Sequence, residues 1–487
     1  MADSAIEARR AGASEAIVGG RAQSRNSSLA KLDFLFAPVS PATLGLFRIC
    51  FGVLMAWHLS RYMPYVTETL VHSKFFLTYD GFHWVRILPA PAMVALFWTM
   101  IGAAALVAAG AFYRVAAAAL CLGWTYVLLL CQGHYNNHSY LFALVAFLLI
   151  FVDATRWLSV DRARSVPAAL GDSVPYWQVF VFKAQIFLVY FYAGVAKLGS
   201  DWLGGYPMKI WLQSTSHYPL VGPFLATDAA AYLFSYGGLI FDLTIGFLLF
   251  GRRTRRWALI PLLVFHCTNQ AVWNIGIFPW FMIAATGLFF DPDWPDRMLR
   301  RLGAGGPTRA GFAPEALRRR GLVLACLAAY LTWQAVFPLR HLLYAGSPDW
   351  TGKGSFFSWR MLTVDRAEAV RMRVAVPGDG TLGFVELDQY LNDVQRARMN
   401  MAPQQYVRFA HFIRDEMRRN AGIENAEIYV DLQRRLNERP FQSVIDPRLD
   451  VAAVEYRDFS DPTYLVPLDP SARPGTDPRW RARIGDR

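Results

Sequence analysis

The chain has 487 residues, of which 54% are hydrophobic, 15% aromatic and only 18% charged, yet its formal net charge is +12. Soluble domains carry about 25% charged residues, so an ordinary soluble enzyme is excluded, and the hydrophobicity excludes a disordered chain. A nucleic-acid binder accounts for the charge but not for the apolar mass, whereas a membrane protein with basic cytoplasmic loops accounts for both.

Residues 1–40 are rich in Ala, Ser and Arg and hold no apolar signal-peptide core, so they read as a flexible cytoplasmic tail. Runs free of Asp, Glu, Lys and Arg follow at 87–113, 115–152, 257–290 and 321–339. A helix needs about 20 apolar residues to cross a bilayer. The runs 115–152 and 257–290 therefore hold two crossings each, joined by a tight turn. Segment 41–62 carries Arg48 inside it, 175–198 carries Lys183 and, near its end, Lys197, and 229–250 carries Asp242. The predicted spans are about nine: 41–62, 91–113, 115–132, 137–155, 176–198, 229–250, 256–272, 274–290 and 321–338. Residues 41–338 thus form a transmembrane domain.

From 339 to 465 the chain is polar with ordinary charge and reads as a separate extramembrane domain, followed by a flexible tail at 466–487. Val370, Met372, Val374 and Val376 alternate along a strand over 366–376. Gly378-Asp-Gly380 is a hairpin-turn signal, and Phe384-Val-Glu-Leu387 is the returning strand. After Pro403 comes a helix to about residue 419, with Val407, Ala410, Phe412, Ile413 and Met417 as its apolar stripe. Residues 427–433 and 451–458 read as further strands. The expected fold class is an all-α polytopic membrane domain of about nine helices followed by a small α+β domain.

Basic residues set orientation. With the N-terminus in the cytoplasm, the inside segments hold 20 Lys and Arg residues and the outside loops hold four: Arg61, Lys74, Arg86 and Lys209. An odd number of crossings then puts the C-terminal domain in the periplasm or an organelle lumen. All five cysteines fall in predicted spans, which leaves the exported domain without a disulfide framework.

With this topology none of the nine histidines is cytoplasmic. His72, His83, His217 and His411 read as polar surface. His138 and His266 lie at membrane depth, where an ionisable group costs free energy and marks function. Lys197 joins them near the outer end of the fifth span. Two readings of it stand. It snorkels to the interface that Trp202 marks, or desolvation makes it a neutral amine able to act as a base. Arg48 and Asp153 lie in the inner half and pair with each other on this reading. Asp242, near mid-span, needs a partner or a proton.

Several motifs in order resemble the vitamin K-dependent gamma-carboxylases. They are Asn136-Asn-His138-Ser-Tyr-Leu, then Tyr192-Ala-Gly-Val-Ala-Lys197-Leu with Asp201-Trp202 and Gly205-Tyr206. Phe265-His266-Cys with Ile275-Gly276 and Phe278 follows, then Asp291-Pro-Asp-Trp294-Pro295. Beyond the membrane come Phe357-Ser-Trp359-Arg-Met361, Ile428-Tyr-Val-Asp431, Leu436-Asn-Glu-Arg439 and Ile445-Asp-Pro-Arg-Leu-Asp450. The similarity runs from about 41 to 457. The 487 residues do not include the large lumenal extension of the animal enzymes, and their lysine pair is here Ala196-Lys197. The composition looks bacterial, which implies an inner-membrane location.

The resemblance implies a chemistry. A reduced naphthoquinone (vitamin K or menaquinol) is deprotonated and reacts with oxygen, and the basic species formed removes a γ-proton from a peptide glutamate. The carbanion adds to carbon dioxide, giving gamma-carboxyglutamate and the quinone epoxide. No metal is required, and no metal-ligating cluster is visible in the sequence. By motif match Lys197 is the base, and His138 and His266 orient the quinone oxygens. Asn137 is a hydrogen-bond partner, and Trp359 and Met361 contact the quinone. The lipid quinone arrives through the bilayer and a glutamate-containing polypeptide from the outer water. The exported domain is then a docking platform for that polypeptide or a lid on the cavity. Two other functions stay open: oxidation or epoxidation of lipid hydroquinones without carboxylation, and a transporter or lipid-binding protein. Against the last, the sequence has no internal repeat symmetry of the kind transporters carry.

Overall fold

A computed structural model describes residues 32–164, 173–303, 319–377 and 380–476. The predicted tails up to Lys31 and from residue 477, and the Gly378-Asp379 part of the hairpin turn, lie outside the described residues.

The membrane part is helical apart from a short antiparallel pairing of Pro38–Val39 with Val174–Pro175. Its main helices are α1 (Ala42–Pro64), α2 (Ala90–Ala109), α3 (Tyr113–Leu130), α4 (Asn137–Phe151) and α5 (Trp177–Val195). Then come α6 (Asp228–Phe250), α7 (Arg255–Trp273), α8 (Phe278–Thr286) and α9 (Arg320–Val336). Six of them are long and apolar enough to cross a membrane: α1, α2, α3, α5, α6 and α9, of which α1 and α9 run on to His72 and Leu343. The other three lie where the sequence predicts spans. However, α4 and α8 are short apolar helices, and α7 has 19 residues but begins with Arg255 and Arg256. Among the described residues six helices thus meet the length and apolarity of a crossing, and the expected count of about nine is not confirmed.

Glycine permits two close helix contacts. A Cβ on Gly52 of α1 would sit 2.6 Å from the Ala104 carbonyl oxygen and the Ala108 nitrogen of α2. A Cβ on Gly194 of α5 would sit 2.7 Å from the Leu243 side chain and 2.9 Å from its backbone nitrogen on α6. Arg48 corrects one expectation. Its guanidinium donates to the carbonyls of Val107 and Ala108 at 2.7 and 2.6 Å and to those of Ala154, Trp157 and Leu158 at 3.2, 3.3 and 2.7 Å. A helix end leaves carbonyls without intrahelical partners, and Arg48 satisfies those of α2. Asp153 instead meets Arg114 at 2.8 Å and Arg156 at 3.8 Å. The pairing fails because the end of α2 and the turn and loop at 154–158 supply carbonyls that satisfy Arg48.

The C-terminal part is a small α+β unit. Its strands are β1 (Arg366–Val376), β2 (Gly380–Phe384), β3 (Glu427–Leu436) and β4 (Gln442–Ser443), in antiparallel order β2-β1-β3-β4. Along β3, Ile428, Val430, Leu432, Arg434 and Leu436 are buried and their neighbours are not, the period-2 pattern of a half-buried strand. Two helices accompany the sheet, α10 (Asp393–Met401) and α11 (Gln405–Ala421). Phe409, Ala410 and Ile413 of α11 are buried in the core. The predicted strand over 451–458 is absent. Val451–Ala453 is a 3-10 turn, because the Asp450 side chain accepts the Ala452 N–H and caps it. The returning strand ends at Phe384 instead of starting there.

This unit docks on two loops of the membrane part. Gln395 and Gln405 donate to the carbonyls of Phe75 and Thr78 at 2.9 and 3.1 Å. Lys353 meets Asp80 at 2.9 Å. Arg439 grips Asp201 with two bonds of 2.6 and 2.8 Å, and Asn437 adds a third at 2.6 Å.

Candidate active site

Lys197 follows directly on the end of α5. Its N–H bonds the Gly194 carbonyl at 2.9 Å, so the chain turns once more and the side chain folds back over the helix end. The ammonium nitrogen donates to the Ala193 carbonyl at 3.1 Å and to Asp242 Oδ2 of α6 at 2.8 Å. Lys197 is 6% exposed and Asp242 4%. The Trp202 ring centroid lies 5.2 Å from Nζ, a cation–π contact. Lys197 is thus turned inward and not toward the outer interface. The close α5–α6 contact at Gly194 brings the two charges together, and Asp242 has the partner it needs.

His266 of α7 meets the Tyr190 hydroxyl of α5 through Nε2 at 2.7 Å, while its buried Nδ1 has no partner. His138, in the first turn of α4, makes no hydrogen bond among the described residues. The Phe278 ring of α8 lies 6.1 Å from the His138 ring and 6.2 Å from the His266 ring. Lys197, Asp242, Tyr190, His138, His266 and Phe278 all line one cavity of about 860 Å³. That volume suits a small-molecule site.

Asn137 lines it too, with both ends of its amide occupied. Its Oδ1 accepts from the Tyr135 hydroxyl and its Nδ2 donates to the Arg360 carbonyl, both at 2.9 Å. It therefore pins the segment around Arg360 against α4. That segment carries three non-glycine residues in the left-handed region: Phe357, Trp359 and Leu362, with φ of 57°, 58° and 51°. Such backbone costs about 1–3 kcal/mol per residue and clusters at functional sites. Met361 lines the cavity, as its expected role needs. Trp359 does not. Its side chain is fully buried and stacks on Tyr140 at 4.9 Å, so it supports the segment from behind and a direct quinone contact is not available to it.

The cavity has two mouths. Between α6 and α7 its walls include Leu233 and Val264, which are 59% and 62% exposed on the outside of the bundle. Gly237 and Pro261 lie beside them, and a Cβ on Gly237 would meet no atom within 4 Å. This mouth is apolar. The other lies beneath the C-terminal unit at Asn136, Leu362 and Ala397 and is flanked by Arg360, Arg366 and Arg398. The sequence reading missed Tyr190 and these arginines. Arg398 sits on α10, which was overlooked although Asn392-Asp-Val-Gln395 has the spacing of a capping box, and both capping bonds form at 2.9 and 3.0 Å. Asp80, His83 and Asp458 each place one ligand atom within 4.8 Å of the others, a grouping invisible in the sequence, but they lie outside this cavity.

A family model described as an HTTM domain matches residues 36–294, which is more than half of the chain. A second, described as the lumenal domain of vitamin K-dependent gamma-carboxylase, matches residues 319–471. No solved structure matches. The first match contains every helix that lines the cavity except α10 and the short helix Pro348–Thr351, and the second contains these two, the strained segment and the sheet. The chain belongs to the vitamin K-dependent gamma-carboxylase family.

Proposed function

We propose that this membrane protein is a gamma-glutamyl carboxylase that couples epoxidation of a reduced naphthoquinone to addition of carbon dioxide to peptide glutamate. One observation carries the reading. A base candidate with its own proton acceptor, two imidazoles, one with an unpartnered buried nitrogen, and an aromatic wall converge on one cavity whose wall includes exposed apolar residues of α6 and α7 and residues of the C-terminal unit.

The residues fit a quinone ring. Phe278 and the stacked pair Phe241 and Phe265, 4.0 Å apart, offer flat apolar faces. His138 and the free Nδ1 of His266 offer hydrogen bonds to ring oxygens. With oxygen, the bound hydroquinone supplies the base that takes the glutamate γ-proton. Lys197 accepts the hydroquinone proton at Nζ once its own excess proton has moved to Asp242 Oδ2, 2.8 Å away. That shift turns an ammonium–carboxylate pair into an amine and an acid. It changes no net charge, which is what a low-dielectric site tolerates. Tyr190 holds His266 by its hydroxyl and fixes the ring's orientation. The strained segment supplies Phe356, Met361 and Leu362 to the cavity wall on the side of the C-terminal unit. On the charge distribution, the polypeptide arrives from the outer face, where the C-terminal unit lies.

The test is turnover in nanodiscs with reduced menaquinone, labelled bicarbonate and a glutamate-rich peptide. Label in the peptide together with epoxide is the expected result. Epoxide without label replaces the proposal by a hydroquinone epoxidase. Neither product from a folded sample overturns both.

A further inference from the structure

We propose that Arg398, flanked by Arg360 and Arg366, is the carboxylate-reading subsite of the cavity, and that it binds the side-chain carboxylate of the peptide glutamate. The inference rests on the peptide reading above. Arg398 is half-buried and lines the cavity on the side of the C-terminal unit. Its Nη2 donates to the Tyr135 carbonyl at 2.8 Å, and its Nη1 reaches the Met401 sulfur at 3.6 Å. Among the described residues it has no carboxylate within ion-pair distance. The acids nearby are already engaged. Asp349 meets Arg360 at 2.6 Å and Arg366 at 3.6 Å, and Glu368 meets Arg434 at 2.8 Å. Arg360 and Arg366 each keep a buried Nε–H with no acceptor.

Three guanidiniums therefore line this cavity with the carboxylates of Asp349 and Glu368; Asp349 serves two of the three, Glu368 is engaged by Arg434, and Arg398 is left without either. A buried cation without a counter-ion is costly. A ligand that carries a carboxylate relieves that cost, and the planar guanidinium fork matches a carboxylate in two parallel bonds. A neutral quinone ring gains nothing from this charge, which separates this end of the cavity from the apolar mouth between α6 and α7. The same wall holds Asn136 and leads on to Asn137 and His138. A glutamate side chain held at Arg398 from the outer mouth thus lies on the path toward the proposed quinone residues.

The experiment measures binding of a fluorescent glutamyl peptide, and of the same peptide with glutamine in its place, to the full chain in nanodiscs. The wild type is expected to prefer the glutamyl peptide by about tenfold or more, the worth of a charge-assisted hydrogen bond. Arg398→Gln is expected to lose that preference, and Arg398→Lys to keep part of it. Equal binding of the two peptides by the wild type overturns the proposal. So does an undiminished preference in Arg398→Gln. Displacement by acetate at the peptide's own concentration also overturns it, because the site then reads any small anion. If Arg398→Gln does not fold, the wild-type comparison decides alone. Binding needs no turnover, so a clear glutamate preference in a protein that forms neither epoxide nor labelled peptide removes the proposed activity and leaves this subsite standing.

Discussion

Asp201 is the residue through which the C-terminal unit holds the segment that carries Lys197. Burial by itself raises its carboxyl pKa, but hydrogen bonds from Arg439 and Asn437 and the Arg439 charge outweigh burial and hold it below the ordinary 3.8. A depressed folded pKa stabilises the fold above the unfolded value, and that contribution disappears as pH falls through the folded value. The clamp is thus at full strength above about pH 3.8 and is lost below it. Arg439→Gln is expected to destabilise the protein by about 1–3 kcal/mol at neutral pH, as for a half-buried charged hydrogen bond, and to flatten the acid limb of its stability. Thermal unfolding followed by tryptophan fluorescence across pH checks both, and identical acid limbs in the two proteins contradict the clamp. Arg48 shows why side-chain partners were hard to read. Its charge and depth are plain in the sequence, but five carbonyls, two from the end of α2 and three from the turn and loop at 154–158, satisfy it, and backbone acceptors leave no trace in residue identity.

Among the elements, the membrane helices were legible because charge is excluded from hydrocarbon, so uncharged runs mark them directly. The helix neighbours were not legible. Lys197 and Asp242 are 45 positions apart, and only the packing of α5 on α6 makes them a pair. Gly194 is what permits that packing, since any Cβ there runs into Leu243. Gly194→Leu is expected to separate α5 from α6 and abolish epoxide formation, whereas Gly237→Ala, which meets open space, is expected to fold with wild-type stability. Gly52→Leu is expected to destabilise by at least about 1–3 kcal/mol, the usual cost of overpacking, because its Cβ meets backbone and not a movable side chain. Thermal melts of the three variants check these outcomes. In the C-terminal unit the strand β1 and the helix α11 were legible from periodicity. The 451–458 segment misled because its apolar residues start a capped turn, and α10 was missed although its capping box was there to see.

At the scale of the molecule, the family, the membrane helices and the α+β unit emerge from the sequence, while the two-mouthed cavity needs the fold. Orientation is a prediction from charge: 20 basic residues inside against four outside. Cysteine labelling in intact spheroplasts checks it. Arg418→Cys, on the surface of the C-terminal unit, is expected to react with a membrane-impermeant maleimide. Arg253→Cys, in the basic turn between α6 and α7, is expected to react only after permeabilisation. The reverse pattern would turn the polar mouth toward the cytoplasm. The most direct measurement of the proposed chemistry is epoxide formation from reduced menaquinone by Lys197→Ala in nanodiscs, beside a wild type of equal thermal stability. The variant is expected to form no epoxide above the protein-free background. Epoxide at the wild-type rate would remove Lys197 from the role of base, and with it the convergence on which the proposed function rests.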